Sequence, residues 1–266
     1  MGRVMPLARA AHPEPAVAVT LAATGLAIGL GQTAWGAVAV AAAVLVGQLS
    51  VGWLNDLVDA PRDARVGRTD KPIAAGTLSA TVVRALVAVS ALAAVGLSFL
   101  SGPLAGAAHV VALISAWGYD LRLKATPFSI VPYAVSFGLL TAFVTLGLPS
   151  PYWPPWWLVA TASLLGSAAH FANTLPDLAD DRETGVIGLP HRVGATGSRV
   201  AAALLVLAAS ATLVAGLPTV LGFLALGAAV IVTAVGLALG RRPGSRATFH
   251  AMLVVAVLDA AVLVAG

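Results

Sequence analysis

The chain has 266 residues, of which 59% are hydrophobic and only 10% are charged, and its mean hydropathy is +0.94. This composition excludes a soluble globular protein and is typical of a polytopic membrane protein. The formal net charge of +4 does not gather on a soluble basic domain, which excludes a nucleic-acid partner, and the lack of cysteine excludes disulfides, thiolate metal sites and cysteine nucleophiles.

Apolar stretches of about 20 residues, the length needed to cross a bilayer, recur along the whole chain. The pattern predicts an all-α membrane protein in which nine transmembrane helices form one polytopic domain over residues 1–266. The predicted spans are 15–33, 36–54, 80–100, 103–118, 128–148, 156–175, 198–216, 218–239 and 247–265.

The basic residues predict the orientation of this bundle. All fifteen Lys and Arg lie at the N-terminus, in the segments 55–79, 119–127, 176–197 and 240–246, or within a few residues of these. Because basic residues favour the cytosolic side, we expect the N-terminus and these four segments to be cytosolic. Thirteen of the fifteen are Arg, and Ala, Val and Gly are abundant. That usage is typical of a GC-rich bacterial genome, so we expect the bacterial cytoplasmic (inner) membrane.

The most informative segment follows the second span and runs from Asn55 to Asp63. On a continuous helix of 3.6 residues per turn, Asp56, Asp59 and Asp63 share one face. Pro61 can kink that helix before Asp63. Carboxylates at a membrane surface are unfavourable unless they bind something positive, so the segment predicts a cation site.

A second acidic segment, Asp177 to Asp181, follows the sixth span, and its two end carboxylates are one helical turn apart, with His170 and Asn173 on the same side. Oxygen ligands suit Mg²⁺, which commonly bridges carboxylates to phosphates. Neighbouring Arg and Lys can bind the remaining phosphate oxygens. The alternative is a pair of solvated loops with surface ion pairs, but both segments lie directly at a helix end on the same predicted side.

Three motifs resemble the signatures of the UbiA superfamily of intramembrane prenyltransferases, in the same order and over most of the chain. They are Asn55-Asp56-x-x-Asp59-x-x-x-Asp63 with the following Lys71-Pro72-Ile73-Ala74-Ala75-Gly76, then Tyr119-Asp120-x-Arg122-x-Lys124, then Asp177-x-x-x-Asp181-x-x-x-Gly185. The second acidic motif is followed by Gly188-Leu189-Pro190-His191-Arg192-Val193-Gly194, a departure from members of the family that often have Thr-Leu-Pro or a similar sequence here.

The resemblance implies an Mg²⁺-dependent intramembrane prenyltransferase. Such an enzyme transfers an isoprenyl group from a prenyl diphosphate to an aromatic or other lipophilic acceptor through an allylic carbocation, within membrane lipid, and releases diphosphate. The implied catalytic residues are Asp56, Asp59, Asp177 and Asp181. The implied metal ligands are Asn55, Asp59, Asp63, Asp177 and Asp181. The implied diphosphate-binding residues are Arg65, Arg68, Lys71, Tyr119, Lys124 and Arg182.

Two other functions stay open on the sequence. A terpene cyclase of the same family would close the cation on its own chain without an acceptor. A cation transporter would use the carboxylates as sites in transit, although they cluster at one side and only Asp259 lies deep in a span. His109 and His170 are expected to be packing residues, and Trp53 and Trp117 either line a cation pocket or belong to the interfacial aromatic belt.

Overall fold

The computed structural model describes residues 4–242 and 245–265, so Arg3, which was counted among the basic residues above, lies outside the described part of the chain. The described residues form eleven α-helices: α1 (Val4–Ala10), α2 (Pro13–Gly29), α3 (Ala34–Arg65), α4 (Ala80–Ser98), α5 (Pro103–Leu121), α6 (Val131–Leu146), α7 (Trp156–Thr174), α8 (Leu178–Glu183), α9 (Leu189–Gly216), α10 (Val220–Leu239) and α11 (Ala247–Ala265). Short 3₁₀ turns occupy Phe99–Ser101, Leu123–Ala125 and Leu175–Asp177.

Six helices of the described segments are long and apolar enough to cross a membrane: α3, α4 together with its 3₁₀ turn, α5, α9, α10 and α11. Helices α2 and α6 are apolar but shorter, with 17 and 16 residues. Each of the nine predicted spans overlaps one of the nine helices of 16 residues or more among those described. The all-α fold is thus confirmed, and nine crossings remain a prediction.

Helix ends are set by residues that terminate or start a helix locally. The Thr33 hydroxyl accepts the backbone N–H of Gly36 at 3.0 Å and caps α3, and Thr219 does the same for α10. Helices α2, α5, α6 and α9 carry proline in their first turn, where the missing N–H is not needed. Gly102 adopts φ 107° between α4 and α5, which produces the tight connection that its Gly-Pro sequence predicts.

The helices pack in a ring. Along the chain α2 packs on α3, α3 on α4 and α5, α5 on α6, α6 on α7, α7 on α9, α9 on α10 and α10 on α11, and α11 returns to α2. One apolar core joins α2, α3, α5 and α6, and a second joins α7, α9, α10 and α11. Alanine is frequent in both cores, and small side chains let helices approach closely. The bundle therefore has two halves, each with an acidic segment at one end.

The two acidic segments are built differently. Helix α3 continues through Pro61 to Arg65, so the first segment is a helix extension, as the spacing predicts. The second acidic segment does not continue the helix that contains His170. Helix α7 ends at Thr174, and a 3₁₀ turn that contains Pro176 precedes α8. Proline has no backbone N–H for the helical bond and its ring crowds the preceding turn, which explains why that expectation was wrong.

Candidate functional site

Contacts between the three motifs place them together at one end of the bundle. The Asn55 side-chain amide donates to Asp120 Oδ1 at 2.9 Å, which links the first motif to the one at the end of α5. Lys124 of that same motif binds Asp59. Arg68 links the first half of the bundle to the second acidic segment, because one of its nitrogens donates to Asp177 at 3.0 Å.

Two carboxylates of α3, Asp56 and Asp59, are largely buried and are paired with cations. Asp56 is 1% exposed, and its Oδ1 lies 3.2 Å from the Lys71 ammonium. Asp59 binds the Arg62 guanidinium as well as the Lys124 ammonium. Since a buried charge is stable only when it is paired, these cations explain how the carboxylates are tolerated here.

His12, which sequence reasoning missed, lies beside this cluster. It joins α1 to α2 in a left-handed conformation with φ 49°, and its Nε2 is 3.3 Å from the Lys71 ammonium. Burial, and then the positive charge of Lys71, lower the pKa of His12 to about 4. A neutral imidazole is therefore preferred next to Lys71. The sequence carries only a weak signal for the conformation of His12, because histidine tolerates a positive φ but does not require one.

Arg68 is the central cation between the two segments. It binds Asp70 through two nitrogens, at 2.8 and 2.9 Å, and binds Asp177 and Asp180 through a third, at 3.0 and 3.2 Å. The hydrogen bonds to Asp70 are the main reason that the pKa of Arg68 rises above its ordinary value. The same bonds lower the pKa of Asp70. Planar bidentate pairing of this kind is specific to arginine.

The second acidic segment is more open than the first. The side chains of Asp177 and Asp180 are 46% and 49% exposed, and Arg68 is their shared partner. Partial burial raises the pKa of the Asp177 carboxyl, and the Arg68 guanidinium opposes that rise. A carboxylate that is half in water can exchange partners at a modest free-energy change.

The side-chain partner of Asp181 is a histidine and not Arg68. Its Oδ2 lies 3.3 Å from Nε2 of His191, whose side chain is almost completely buried. Arg182 donates a hydrogen bond to the backbone carbonyl of His191, so at least one of its guanidinium nitrogens is bound to the first turn of α9. Sequence reasoning missed His191, although it lies in the stretch that departs from the family pattern.

Tyr119 packs into an aromatic group rather than pointing at a cation. Its ring meets Tyr133 edge-on at 5.0 Å between centroids and meets His170 edge-on at 5.6 Å. Tyr133 and His170 are 4.9 Å apart. His170 also lies 3.0 Å from the hydroxyl of Ser129, and its buried Nδ1 has no hydrogen-bond partner among the described residues. Tyr133 was missed because a lone aromatic in an apolar span carries no sequence signal.

The predicted metal ligands do not all converge. Within residues 4–242 and 245–265, no three Asp, Glu or His side chains come close enough together to hold one ion. Asp63 has a buried oxygen, Oδ2, with no hydrogen-bond partner in the described part of the chain. Arg65 is exposed at the end of α3, and its side chain makes no hydrogen bond or ion pair within the described part of the chain. Asp59 is instead paired with Lys124 and Arg62, Asp177 with Arg68, and Asp181 with His191.

The remaining polar residues of the spans have structural partners. His109 stacks on Phe143 at 4.4 Å and bonds to Ser98, as expected of a packing residue. Asp259 is buried and accepts a hydrogen bond from Ser210 at 2.9 Å, which ties α11 to α9. Trp53 donates to the carbonyl of Leu7, which ties α1 to α3. Trp117 donates to the hydroxyl of Ser50, so both indoles have packing roles.

Comparison with known proteins gives a consistent result. A UbiA homolog from Aeropyrum pernix K1 superposes with a TM-score of 0.78 at 20% identity, covering 95% of this chain and 98% of that one. A UbiA homolog from Archaeoglobus fulgidus, solved bound to GPP and Mg²⁺, has a TM-score of 0.76 at 14% identity, with 98% of each chain covered. A digeranylgeranylglyceryl phosphate synthase has a TM-score of 0.71 at 15% identity, with 100% of this chain and 99% of that one covered.

No curated protein matches the chain in sequence. The solved structures are below 25% identity, so they establish the fold. The model of the UbiA prenyltransferase family matches residues 16–257, which is most of the chain. The chain therefore belongs to the UbiA prenyltransferase family.

Proposed function

We propose that this protein is an intramembrane prenyltransferase. It transfers an isoprenyl group from a prenyl diphosphate to an aromatic or other lipophilic acceptor and releases diphosphate. The observation that carries the proposal is the bridge from Arg68 to Asp177 and Asp180, which joins acidic segments of the two half-bundles at one end of an otherwise apolar protein. The diphosphate headgroup of a substrate, together with a bound cation, can replace the contacts of Arg68 with the two aspartates.

The cations around the first acidic segment are suited to hold the diphosphate. Lys71 and Lys124 each neutralise one carboxylate, Asp56 and Asp59, and an ammonium group has three N–H donors. Each lysine can therefore bind a phosphate oxygen while it keeps its carboxylate. Arg68 adds a planar pair of donors, and Arg65, Tyr119 and Arg182 complete the proposed diphosphate-binding set. Their charge stabilises the leaving diphosphate as the C–O bond breaks.

The carboxylates provide oxygen donors, which are the ligands that suit a magnesium ion. Asp63, one of the predicted ligands, has one buried oxygen that accepts no well-aligned hydrogen bond from the described part of the chain, and the neighbouring Asp56 has two. Hard oxygen donors of this kind suit Mg²⁺. We assign the ligand role to Asn55, Asp59, Asp63, Asp177 and Asp181. When bound, the ion would neutralise charge on the diphosphate and make it a better leaving group. The GPP and Mg²⁺ in the Archaeoglobus fulgidus homolog support this assignment.

The aromatic group beside the site is suited to the carbocation. Tyr119 and Tyr133 offer π faces, which attract a cation, and neither carries a charge that would capture it. The surrounding helices are apolar, so they exclude the water that would quench the cation. The basic residues at this end favour a cytosolic active site in the bacterial cytoplasmic membrane.

The proposal is tested by diphosphate release from the purified protein in detergent. Mg²⁺ and prenyl diphosphates of several chain lengths are supplied, first alone and then with aromatic or other lipophilic acceptors. Release that requires an acceptor, together with a prenylated product, is the expected result. Release without an acceptor, with a cyclic hydrocarbon extracted, would identify a terpene cyclase instead. Absence of release under every condition, with metal flux in proteoliposomes, would contradict the proposal and favour transport.

A further inference from the structure

The first turn of α9 holds His191 in one tautomer. The side chain is buried, and its Nδ1 lies 3.1 Å from the backbone nitrogen of Gly188, which donates a hydrogen bond to it. An imidazole nitrogen that accepts a hydrogen bond carries no proton, so in the neutral ring the proton is on Nε2. His191 therefore presents a single N–H donor on the side away from Gly188.

That donor faces Asp181. Nε2 lies 3.3 Å from Asp181 Oδ2 and makes no well-aligned hydrogen bond with any residue in the described ranges. The backbone carbonyl of Asp181 is already fixed by the Val186 N–H at 2.8 Å and the Thr184 hydroxyl at 3.1 Å. With the main chain held in this way, Nε2 of His191 is close enough to influence which way the carboxylate turns. Contacts of this length commonly tighten when a ligand binds.

The loop that contains Gly188 also packs against the segment from Lys124 to Ser129. The Ser129 hydroxyl accepts the Leu189 N–H at 2.9 Å. A Cβ at Gly188 would lie 2.4 Å from the carbonyl oxygen of Lys124, so only glycine allows this approach. Arg182 then donates to the carbonyl of His191. His191 is thus positioned against both the Lys124 segment and the second acidic segment.

From this geometry we infer that His191 is a positioning residue, which orients the Asp181 carboxylate through its Nε2–H so that Asp181 can bind a divalent cation together with a diphosphate. The inference rests on the proposed function for the identity of that ligand pair. Groups that hydrogen-bond a metal-binding carboxylate fix its orientation, and their loss commonly lowers metal affinity about 10–100-fold.

Two substitutions separate this role from simple packing. In His191→Gln, the amide nitrogen can take the place of Nε2–H and still donate to Asp181. In His191→Asn, the amide oxygen can take the place of Nδ1 and accept the Gly188 N–H, but the side chain is too short to reach Asp181. Both are neutral and similar in size. His109→Gln, a buried histidine away from the site, serves as the matched control.

The measurement is Mn²⁺ binding in the presence of inorganic diphosphate, followed by the loss of the free-ion electron paramagnetic resonance signal. We expect His191→Asn to bind Mn²⁺ about 10–100-fold more weakly, close to Asp181→Asn, and His191→Gln to stay within about threefold of the wild type. The melting temperature is measured for each protein. If His191→Asn does not fold, His191→Phe, which fills the ring volume without a donor, replaces it.

Three results would overturn the inference: equal Mn²⁺ affinity in the wild type and the variant that lacks the donor, no Mn²⁺ binding by the wild type, or equal weakening in the Gln and Asn variants with the same fall in melting temperature. A wild type that binds Mn²⁺ and responds as expected, yet releases no diphosphate from any prenyl substrate, would contradict the proposed function and leave the positioning role intact. The two failures are therefore distinguishable.

Discussion

The two acidic segments occupy corresponding places in the two halves of the bundle, yet one is rigid and the other is open. The first is a continuation of α3, with Asp56 1% exposed and paired with Lys71. The second is divided between a 3₁₀ turn and the six-residue α8, with Asp177 46% exposed. A helix extension holds carboxylates in fixed positions, whereas a broken end depends on its partners.

The difference indicates that the two segments have different roles in substrate binding. The first segment, with Lys71 and Lys124 close by, is arranged before any substrate arrives. The second is held by Arg68 and His191, and both contacts involve partly exposed carboxylates. We therefore expect substrate binding to leave the first segment nearly unchanged and to rearrange the second. Substitutions in the two segments should accordingly differ in their effects on folding and on activity.

The largest effect is expected where a carboxylate oxygen is lost from either segment. Asp59→Asn and Asp181→Asn should each lower turnover by about 10²–10³-fold or more, because each removes charge that holds the transition state. Diphosphate release at saturating substrate measures this. Asp259→Asn, which alters a buried carboxyl at the α9–α11 contact, is the control and should keep turnover near that of the wild type. Full activity in both site variants would contradict the account.

The rigid segment should respond to loss of a cation with loss of stability. Lys71→Met leaves Asp56 buried without its ion pair, which should cost about 3–5 kcal/mol. The double variant Lys71→Met with Asp56→Asn should recover most of that stability but not the activity. Thermal unfolding of the four proteins in detergent forms a double-mutant cycle. Additive effects would show that the pair is not coupled.

The open segment should respond to a change of cation with a change of affinity. Arg68→Lys keeps the charge but cannot contact Asp70, Asp177 and Asp180 at once, since lysine lacks the planar fork. We expect about a tenfold rise in KM for the prenyl diphosphate, or about 1.4 kcal/mol, with little change in melting temperature. Steady-state kinetics measures it, and an unchanged KM would remove Arg68 from the diphosphate site.

The smallest effect concerns pH and the neutral imidazole beside Lys71. The pKa of His12, about 4 in the folded protein, lies below its ordinary 6.5, so the unfolded chain binds more protons between these values. The His12 contribution to stability is complete above about pH 6.5 and is lost as the pH falls toward 4. His12→Gln should reduce the fall in melting temperature between pH 7 and 4.5, by an amount worth less than about 3 kcal/mol. An identical fall would contradict it.

The sequence predicted the parts of this molecule that depend on local pattern. Apolar length located the helices, and the three-to-four-residue spacing of Asp56, Asp59 and Asp63 placed them on one face, which the continuous α3 confirms. It did not predict the break at Pro176, because a proline near a helix end can either kink the helix or end it. Only the surrounding packing decides between these outcomes.

The partners of the site residues could not be predicted, because they come from distant positions in the chain. Asp59 meets Lys124 and Asn55 meets Asp120, each across 65 residues. His12 and Tyr133 approach the site from elements with no motif of their own. His191 lies close to the second acidic motif in sequence, but its tautomer and its contact with Asp181 required coordinates.

The proposed function requires that both acidic segments share one diphosphate headgroup. Its most direct test is Mg²⁺-dependent binding of a prenyl thiodiphosphate, whose C–S bond resists ionisation, to the wild type, Asp59→Asn, Asp181→Asn and the double variant. The account predicts that each single variant loses most of the affinity and that the double variant loses little more, because both substitutions disrupt one site. Wild-type affinity in either single variant, or fully additive losses, would show that the two segments do not share a ligand.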